Sequence, residues 1–159
     1  MPERETIDRA REDAAEGKSP STQAGEFVRE EIEHVRHGKH GARSPRQAIA
    51  IGLSKARRAG IKLPPPKKSA TSESTRRKAR QDEAAAARPR RRSRKRSRAT
   101  SRALKRESRQ SASSAALARQ ARSAASRRSR ANRSEAAKKA ARTRKRRRAG
   151  GARARKSRR

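Results

Sequence analysis

The large apolar residues recur with a helical period in two stretches, residues 22–37 and 45–61. Drawn at about 100° per residue, each stretch places most of its apolar side chains on a single stripe, with Ile51 of the second stretch lying off it. Two amphipathic helices joined by a short loop predict an antiparallel helical hairpin. Its predicted core consists of Phe27, Val28, Ile32, Val35, Ile49, Leu53, Ala56 and Ile61.

Local signals mark the ends of both helices. The first is predicted to begin after Ser21 or Thr22 and to end near His37, before Gly38. The second has stronger signals: Ser44 as N-cap, Pro at the first helical position, a Gln three residues after the cap, and Gly60 just past the end. Gly52 lies on the apolar stripe, where it would permit close approach of the two helices.

The flanking segments differ sharply from the hairpin. Residues 2–16 predict a polar helix stopped by Gly17, and with Ile7 as its only large apolar residue it is expected to be frayed or independent. The predicted organisation is an N-terminal arm (1–20), the hairpin (21–63), a proline linker (64–66) and a tail (67–159). Because a core of about 40 residues is marginal alone, self-association or a bound partner is expected to complete it.

Charge changes the picture, because the chain has 50 Lys and Arg against 15 Asp and Glu, a net charge of +35. Residues 1–66 hold 13 basic and 10 acidic side chains (+3), which leaves 37 basic and 5 acidic (+32) for residues 67–159. Repulsion among this many positive charges opposes a compact fold. Binding to a phosphate backbone relieves the repulsion and is favoured by the release of condensed counterions. The sequence therefore predicts a nucleic-acid partner.

The tail is dominated by Arg, Ala and Ser, with windows rich in helix formers. We expect it to be disordered or conditionally helical, with helicity that rises when phosphates neutralise the Arg side chains. The fold class is thus mostly α, a hairpin followed by a long basic tail. The predicted nucleic-acid-binding residues are Arg90, Arg91, Arg92, Arg94, Lys95, Arg96, Arg98, Arg127, Arg128, Arg130, Arg144, Lys145, Arg146, Arg147 and Arg148.

Composition favours duplex DNA as the partner. The chain has one Phe and neither Tyr nor Trp, which argues against recognition of single strands by base stacking. Structured or ribosomal RNA is the first alternative, since the phosphate chemistry is the same. A second alternative makes the hairpin a protein-interaction or dimerisation module and the tail a tether.

The loop between the two predicted helices combines glycines, cations and a helix N-terminus, an arrangement that binds anions. Its candidate phosphate-docking residues are Lys39, His40, Arg43, Ser44 and Arg46. The same glycines would also serve a simple turn. A helix-turn-helix with residues 45–59 as recognition helix is less favoured, because the connection is long and no third helix is evident.

His34, His37 and His40 are spaced three apart, and Glu30 precedes His34 by four residues. Glu30, His34 and His37 with His40 form a candidate metal set. The favoured interpretation is structural: His near a helix C-terminus is stabilised by the helix dipole and by nearby carboxylates. We therefore expect no metal and no cofactor.

Other function classes have little support. The chain has no Cys, no apolar run of membrane-spanning length and no signal-peptide apolar segment at its start. No acid pair or nucleophile–base set indicates catalysis, so we expect a non-enzymatic protein. It is expected to remain in the cytoplasm, associated with the nucleoid.

A family resemblance rests on the run from His37, Gly38 and Lys39 through Ser44 to QAIAIGLSKAR at residues 47–57. Over about residues 22–63 the chain resembles small basic bacterial proteins with an HGK…SxxQAIAIGLSKAR core, a domain of unknown function loosely described as DNA-binding. The resemblance implies a bacterial cytosolic protein and assigns no catalytic residue. In composition alone, the tail is similar to histone-like and protamine-like basic tails.

Overall fold

The computed structural model describes residues 2–66, 68, 71–87, 93–127, 129, 132, 134–135 and 137–144. These residues form helices and connecting segments, with no strand among them. The elements are α1 (Arg4–Ala15), α2 (Pro20–Arg36), α3 (Pro45–Arg58), α4 (Glu73–Ala87), α5 (Arg94–Lys105), a 3-10 helix (Arg109–Ala112) and α6 (Ser114–Ser126). The chain divides into two compact units, Met1–Leu117 and Ala118–Arg159.

The predicted ends of the hairpin helices are largely confirmed. The Ser44 hydroxyl accepts a hydrogen bond from the Gln47 backbone N–H at 3.3 Å, so α3 begins where its cap predicted. Gly60 adopts a positive φ of 96°, and the Ile61 N–H donates to the Ala56 carbonyl at 3.1 Å. α2 begins slightly earlier than predicted, at Pro20 after Ser19.

Gly52 lies where α2 and α3 pack together. A Cβ atom at this position would lie 2.7 Å from the Val28 Cα and 2.9 Å from the Phe27 carbonyl oxygen, distances that backbone atoms do not tolerate. Because glycine has no Cβ, the two helix backbones approach closely here. The predicted role of Gly52 is confirmed.

The apolar core forms two clusters rather than the single stripe predicted. The first buries Phe27 and Ala56 with Ala10, Ala24 and Leu63, and the half-buried Leu53 and Ile61 pack against it together with Ile7. The second buries Val35 with Ala42, Ala48 and Ala112, and Ile32 packs against it. Val28 and Ile49 are half-buried.

The hairpin with a long separate tail is wrong as a fold class, although the mostly helical character is confirmed. In the first unit α4 packs on α3, where the Ser54 hydroxyl donates to the Asp82 carboxylate at 2.6 Å. The 3-10 helix packs on α2 and contributes Ala112, fully buried, to the second cluster. The sequence missed these contacts because small residues in an Ala/Ser/Arg background give no apolar stripe.

The expectation that the N-terminal helix is independent is also wrong. α1 packs along α2, burying Ala10 and Thr6, and Ile7 contacts the first cluster. Arg9 forms an ion pair with Glu26 of α2, with 2.9 Å between Nε and Oε2. Because α1 has few large apolar residues, the sequence did not predict that it packs on α2. Polar contacts such as the Arg9–Glu26 ion pair help to hold it there.

Candidate nucleic-acid interface

The acidic side chains are mostly paired within the first unit. Ten of the 15 Asp and Glu residues lie within 4.0 Å of a described Lys or Arg nitrogen, and all ten lie between residues 3 and 82. Several of these pairs are exposed and add little stability each. Together they neutralise many of the cations that precede α5.

α5 presents cations without such partners. Its described side chains are exposed apart from Leu104, which is half-buried, and no residue of the helix is buried. At about 100° per residue, Arg94, Arg98, Arg102 and Lys105 fall within an arc of about 80°, with Lys95 at its edge. We call the first four residues the basic stripe. No carboxylate lies within 4.0 Å of a basic nitrogen of α5 in the described part of the chain, which includes every Asp and Glu.

The C-terminal end of α5 is anchored to the loop between α2 and α3. The Gly41 N–H donates to the Leu104 carbonyl at 2.9 Å, and the Ala42 N–H donates to the Ser108 carbonyl at 3.1 Å. Farther on, the Arg36 guanidinium donates to the Ala112 carbonyl at 2.9 Å. These hydrogen bonds hold one end of the basic stripe against the rest of the first unit.

Gly41 is essential to this anchor, because a Cβ atom there would overlap the backbone carbonyl group of Glu107. We expect Gly41→Ala to displace residues 104–112. This would break the hydrogen bonds donated by the Gly41 and Ala42 amides and uncover the second cluster, which lowers the free energy of unfolding by about 2–3 kcal/mol. Hydrogen exchange should accelerate at the Gly41 and Ala42 amides, and urea unfolding gives the free energy. Gly25→Ala is the matched control, since Gly25 has open space around it; equal effects of the two substitutions would contradict the anchor.

Beside the anchor, charged side chains from Glu3, the residue before α1, and from α2, α3 and the loop form a partly buried cluster. Glu31 is fully buried and Glu30 is 3% exposed, and the Lys55 ammonium lies 2.7 Å and 2.9 Å from their respective carboxylates. At the surface edge, Glu3 accepts from Lys39 at 2.7 Å and lies 3.0 Å from His34 Nε2. The cluster ties α1, α2, α3 and the loop together.

The cluster shifts the pKa values of Glu3, Glu30 and Lys55. Hydrogen bonds from Lys39 and His34 lower the pKa of the Glu3 carboxyl to about 2. Burial alone would raise the pKa of Glu30, but hydrogen bonds from Lys55, the Glu3 N–H and Thr6 leave it below its usual value. Burial would lower the pKa of Lys55, yet Glu31 and Glu30 raise it above its usual value. The charged forms are therefore favoured in the folded protein.

The loop residues predicted to dock phosphate differ in their contacts and in their exposure. Lys39 pairs with Glu3, and His40 Nε2 lies 3.3 Å from Glu31 Oε1. Ser44 caps α3, while Arg43 and Arg46 have exposed side chains. An open cleft between the loop and residues 105–109 is lined by Lys39, Lys105 and Arg109 among others. Phosphate docking at this loop stays a prediction.

The predicted nucleic-acid-binding residues are only partly described. Arg94, Lys95, Arg96 and Arg98 lie exposed on α5. In the second unit, Arg127 and Arg144 are exposed. Outside the described residues lie Arg90, Arg91, Arg92, Arg128, Arg130, Lys145, Arg146, Arg147 and Arg148. Sequence reasoning did not single out Arg102 and Lys105, although Arg102 lies four residues after Arg98 and Lys105 three residues after Arg102, spacings that keep side chains on one helix face.

α3 is poorly suited to act as a recognition helix, even though α1, which the sequence predicted as a frayed or independent helix, packs on α2 and supplies a third helix. Lys55 is occupied by Glu30 and Glu31, and Arg57 is 9% exposed. Arg58 lies against Asp82 of α4, with 3.9 Å between Nε and Oδ1. Because α2 and α4 both pack on α3, we assign α3 a structural role in the core.

The fold and this surface define a small helical protein with an exposed basic helix. Residues 17–68 match a family of unknown function (DUF6496). No curated protein and no solved structure matches the chain. No helix among the described residues has the length and apolar character needed to cross a membrane.

Proposed function

We propose that this protein binds nucleic acid without sequence preference, by neutralising phosphates with α5 and the basic residues that follow it. The observation that supports this most is the basic stripe: four aligned cations on an exposed helix, with no carboxylate of the described residues beside them. Unpaired cations retain their full attraction for phosphate, and each contact releases condensed counterions.

The dimensions of α5 suit a duplex. Its 12 residues span about 18 Å at 1.5 Å per residue. A major groove about 12 Å wide admits one α-helix, with the stripe facing the phosphates of one wall. Five of the other eight positions are Ser, Thr or Ala, which supply no bidentate contact to a base edge, and only Lys95 and Arg96 have side chains able to make one. This surface therefore favours positioning contacts over sequence-specific ones.

The second unit extends the same chemistry. Its described basic side chains are all exposed: Arg119, Arg122, Arg127, Lys138, Lys139, Arg142 and Arg144. Arg also forms bidentate bonds with phosphate and enters narrow minor grooves more readily than Lys. We infer an architectural role on bacterial DNA in the cytoplasm, at the nucleoid, in which the first unit orients the basic helix.

Competition binding tests the class of partner. A labelled duplex bound to the full chain should be displaced equally well by two unlabelled duplexes of unrelated sequence, measured by fluorescence anisotropy. A structured RNA of equal length should compete less well than either duplex. Stronger competition by the RNA would move the proposal to structured RNA, and failure to bind either polymer would overturn it.

A further inference from the structure

Glu31, His34 and His40 lie together where α2 ends and the loop begins. Each offers one ligand atom, and the three atoms lie within 4.8 Å of one another. Glu31 is fully buried, while the side chains of His34 and His40 are 13% and 18% exposed. The two imidazole rings meet edge to face, with centroids 6.1 Å apart. The group is thus largely shielded from water but open on the histidine side.

The hydrogen bonds of His40 leave one ring nitrogen facing an acceptor. Nδ1 lies 3.0 Å from the Gly41 carbonyl oxygen, which can only accept, so Nδ1 bears the hydrogen. In a neutral ring Nε2 then has a lone pair, and it lies 3.3 Å from Glu31 Oε1. Two acceptors at this distance repel unless a cation or a proton lies between them.

His34 has the same arrangement. Its Nε2 lies 3.0 Å from Glu3 Oε1, an acceptor that assigns the hydrogen to Nε2. The lone pair of the neutral ring is then on Nδ1, which lies 3.9 Å from Glu30 Oε1. Both histidines therefore have one nitrogen fixed by an oxygen and the other free to bind a ligand. Metal-binding histidines have this pattern, in which an outer carboxylate or carbonyl orients the ring.

The charges of the cluster also favour an added cation. Three carboxylates (Glu3, Glu30 and Glu31) face two ammonium groups (Lys39 and Lys55), which leaves −3 + 2 = −1 when both histidines are neutral. A residual negative charge in a partly buried site is costly unless it is compensated. A divalent cation between Glu31 and the two rings would remove this negative charge and leave −1 + 2 = +1.

We propose that Glu31, His34 and His40 bind one Zn²⁺ ion, with Glu3 and the Gly41 carbonyl orienting the two rings. Two donors of a tetrahedral Zn²⁺ site with bonds of about 2.0–2.1 Å are about 3.3 Å apart. The observed 3.3 Å between His40 Nε2 and Glu31 Oε1 fits this geometry, and the His34 donor, within 4.8 Å of both atoms, would move closer on binding. Imidazole and carboxylate donors suit Zn²⁺, and water completes the fourth position.

This set differs from the one that the sequence suggested. His37 at the end of α2 has an exposed side chain and is not a member, and Glu31 takes the place of Glu30. Because His40 precedes Gly41, whose amide holds the Leu104 carbonyl, the ion would fix the loop that anchors α5. The proposal extends beyond nucleic-acid binding and does not depend on it.

Calorimetric titration of the full chain with ZnCl₂ tests the site, using protein without an affinity tag after chelator treatment in high salt. We expect one ion per chain and a Tm increase of roughly 10 °C when free Zn²⁺ is about 100 times its Kd. Nitrogen-15 spectra of the unaltered chain should show ring shifts at His34 and His40 but not at His37. Co²⁺ in place of Zn²⁺ should give the visible absorption of a tetrahedral site.

Variants separate the proposed ligands from their neighbours. His40→Gln should weaken Zn²⁺ binding by about 100-fold or more, and Glu3→Gln, at an exposed residue, by about 10-fold. His37→Ala is the matched control and should bind as the unaltered chain does. The proposal is overturned if the unaltered chain shows no saturable binding and no ring shifts, or if His37→Ala weakens binding as much as His40→Gln.

Discussion

Replacing Lys55 by Met should destabilise the first unit by about 3–5 kcal/mol at neutral pH, the usual cost of removing one partner from a buried ion pair. Lys55 is the shared counterion of Glu30 and Glu31, at 2.9 Å and 2.7 Å, and both carboxylates are almost fully buried. Met preserves the aliphatic volume of the side chain, so the loss reports the charge. Urea unfolding followed by circular dichroism measures it.

Lowering the pH should reduce the difference in free energy of unfolding between Lys55→Met and the unaltered chain. The pKa of Glu30 is lowered on folding, so its contribution to stability exists above the unfolded pKa of about 4.3 and is lost as pH falls through the folded value. Without Lys55 much of that contribution is lost at neutral pH as well, because Lys55 is the largest of the interactions that lower the Glu30 pKa. Lys78→Met is the matched control, because Lys78 is exposed although it also pairs with a buried carboxylate, that of Asp82. A loss below about 1 kcal/mol for Lys55→Met would contradict the assigned role.

Neutralising the basic stripe should weaken duplex binding by at least about a hundredfold near 0.1 M salt. In the variant Arg94→Gln, Arg98→Gln, Arg102→Gln and Lys105→Gln, side-chain length and helix propensity are nearly preserved. Each phosphate contact multiplies the association constant by the salt concentration to the power of about −0.9, so four contacts raise the affinity by roughly three to four orders of magnitude between 1 M and 0.1 M salt. Fluorescence anisotropy on the full chain measures the affinities.

A control variant of the same net charge distinguishes the effect of the basic stripe on affinity from the effect of net charge alone. Four exposed cations of the first unit are already paired with carboxylates: Arg11, Arg29, Lys78 and Arg80. Changing these four to Gln removes the same total charge from outside the stripe. We expect this variant to retain most of its affinity. Equal losses in the two variants would mean that net charge, and not the surface of α5, determines binding.

The hairpin was predictable because its signals are local. Ser44, Pro45 and Gln47 fix the start of α3 through short-range hydrogen bonds and a fixed φ, and Gly60 fixes its end. The apolar stripe correctly selected Phe27, Val35 and Ala56 as buried residues. These inferences use spacing within one helix or between two neighbouring helices.

The contacts of the distant segments were not predictable for the same reason. Ala112 completes the cluster around Val35 from more than 70 positions away, and nothing in its neighbourhood distinguishes it from other alanines of the tail. The burial of Glu31 runs against its polarity and depends on Lys55 and His40, which lie on later segments. Stripe residues Arg94 and Arg98 were identified by charge, but their lack of carboxylate partners required the positions of all 15 acidic residues.

The salt dependence of duplex affinity tests the central claim most directly. Measured from about 50 to 300 mM salt, the logarithm of the association constant of the full chain should fall linearly and steeply with the logarithm of salt concentration. In the stripe variant the slope should be smaller in magnitude by about 3.6, four times the 0.9 expected per phosphate. A nearly flat line for the unaltered chain, or identical slopes for the two proteins, would contradict phosphate neutralisation by α5.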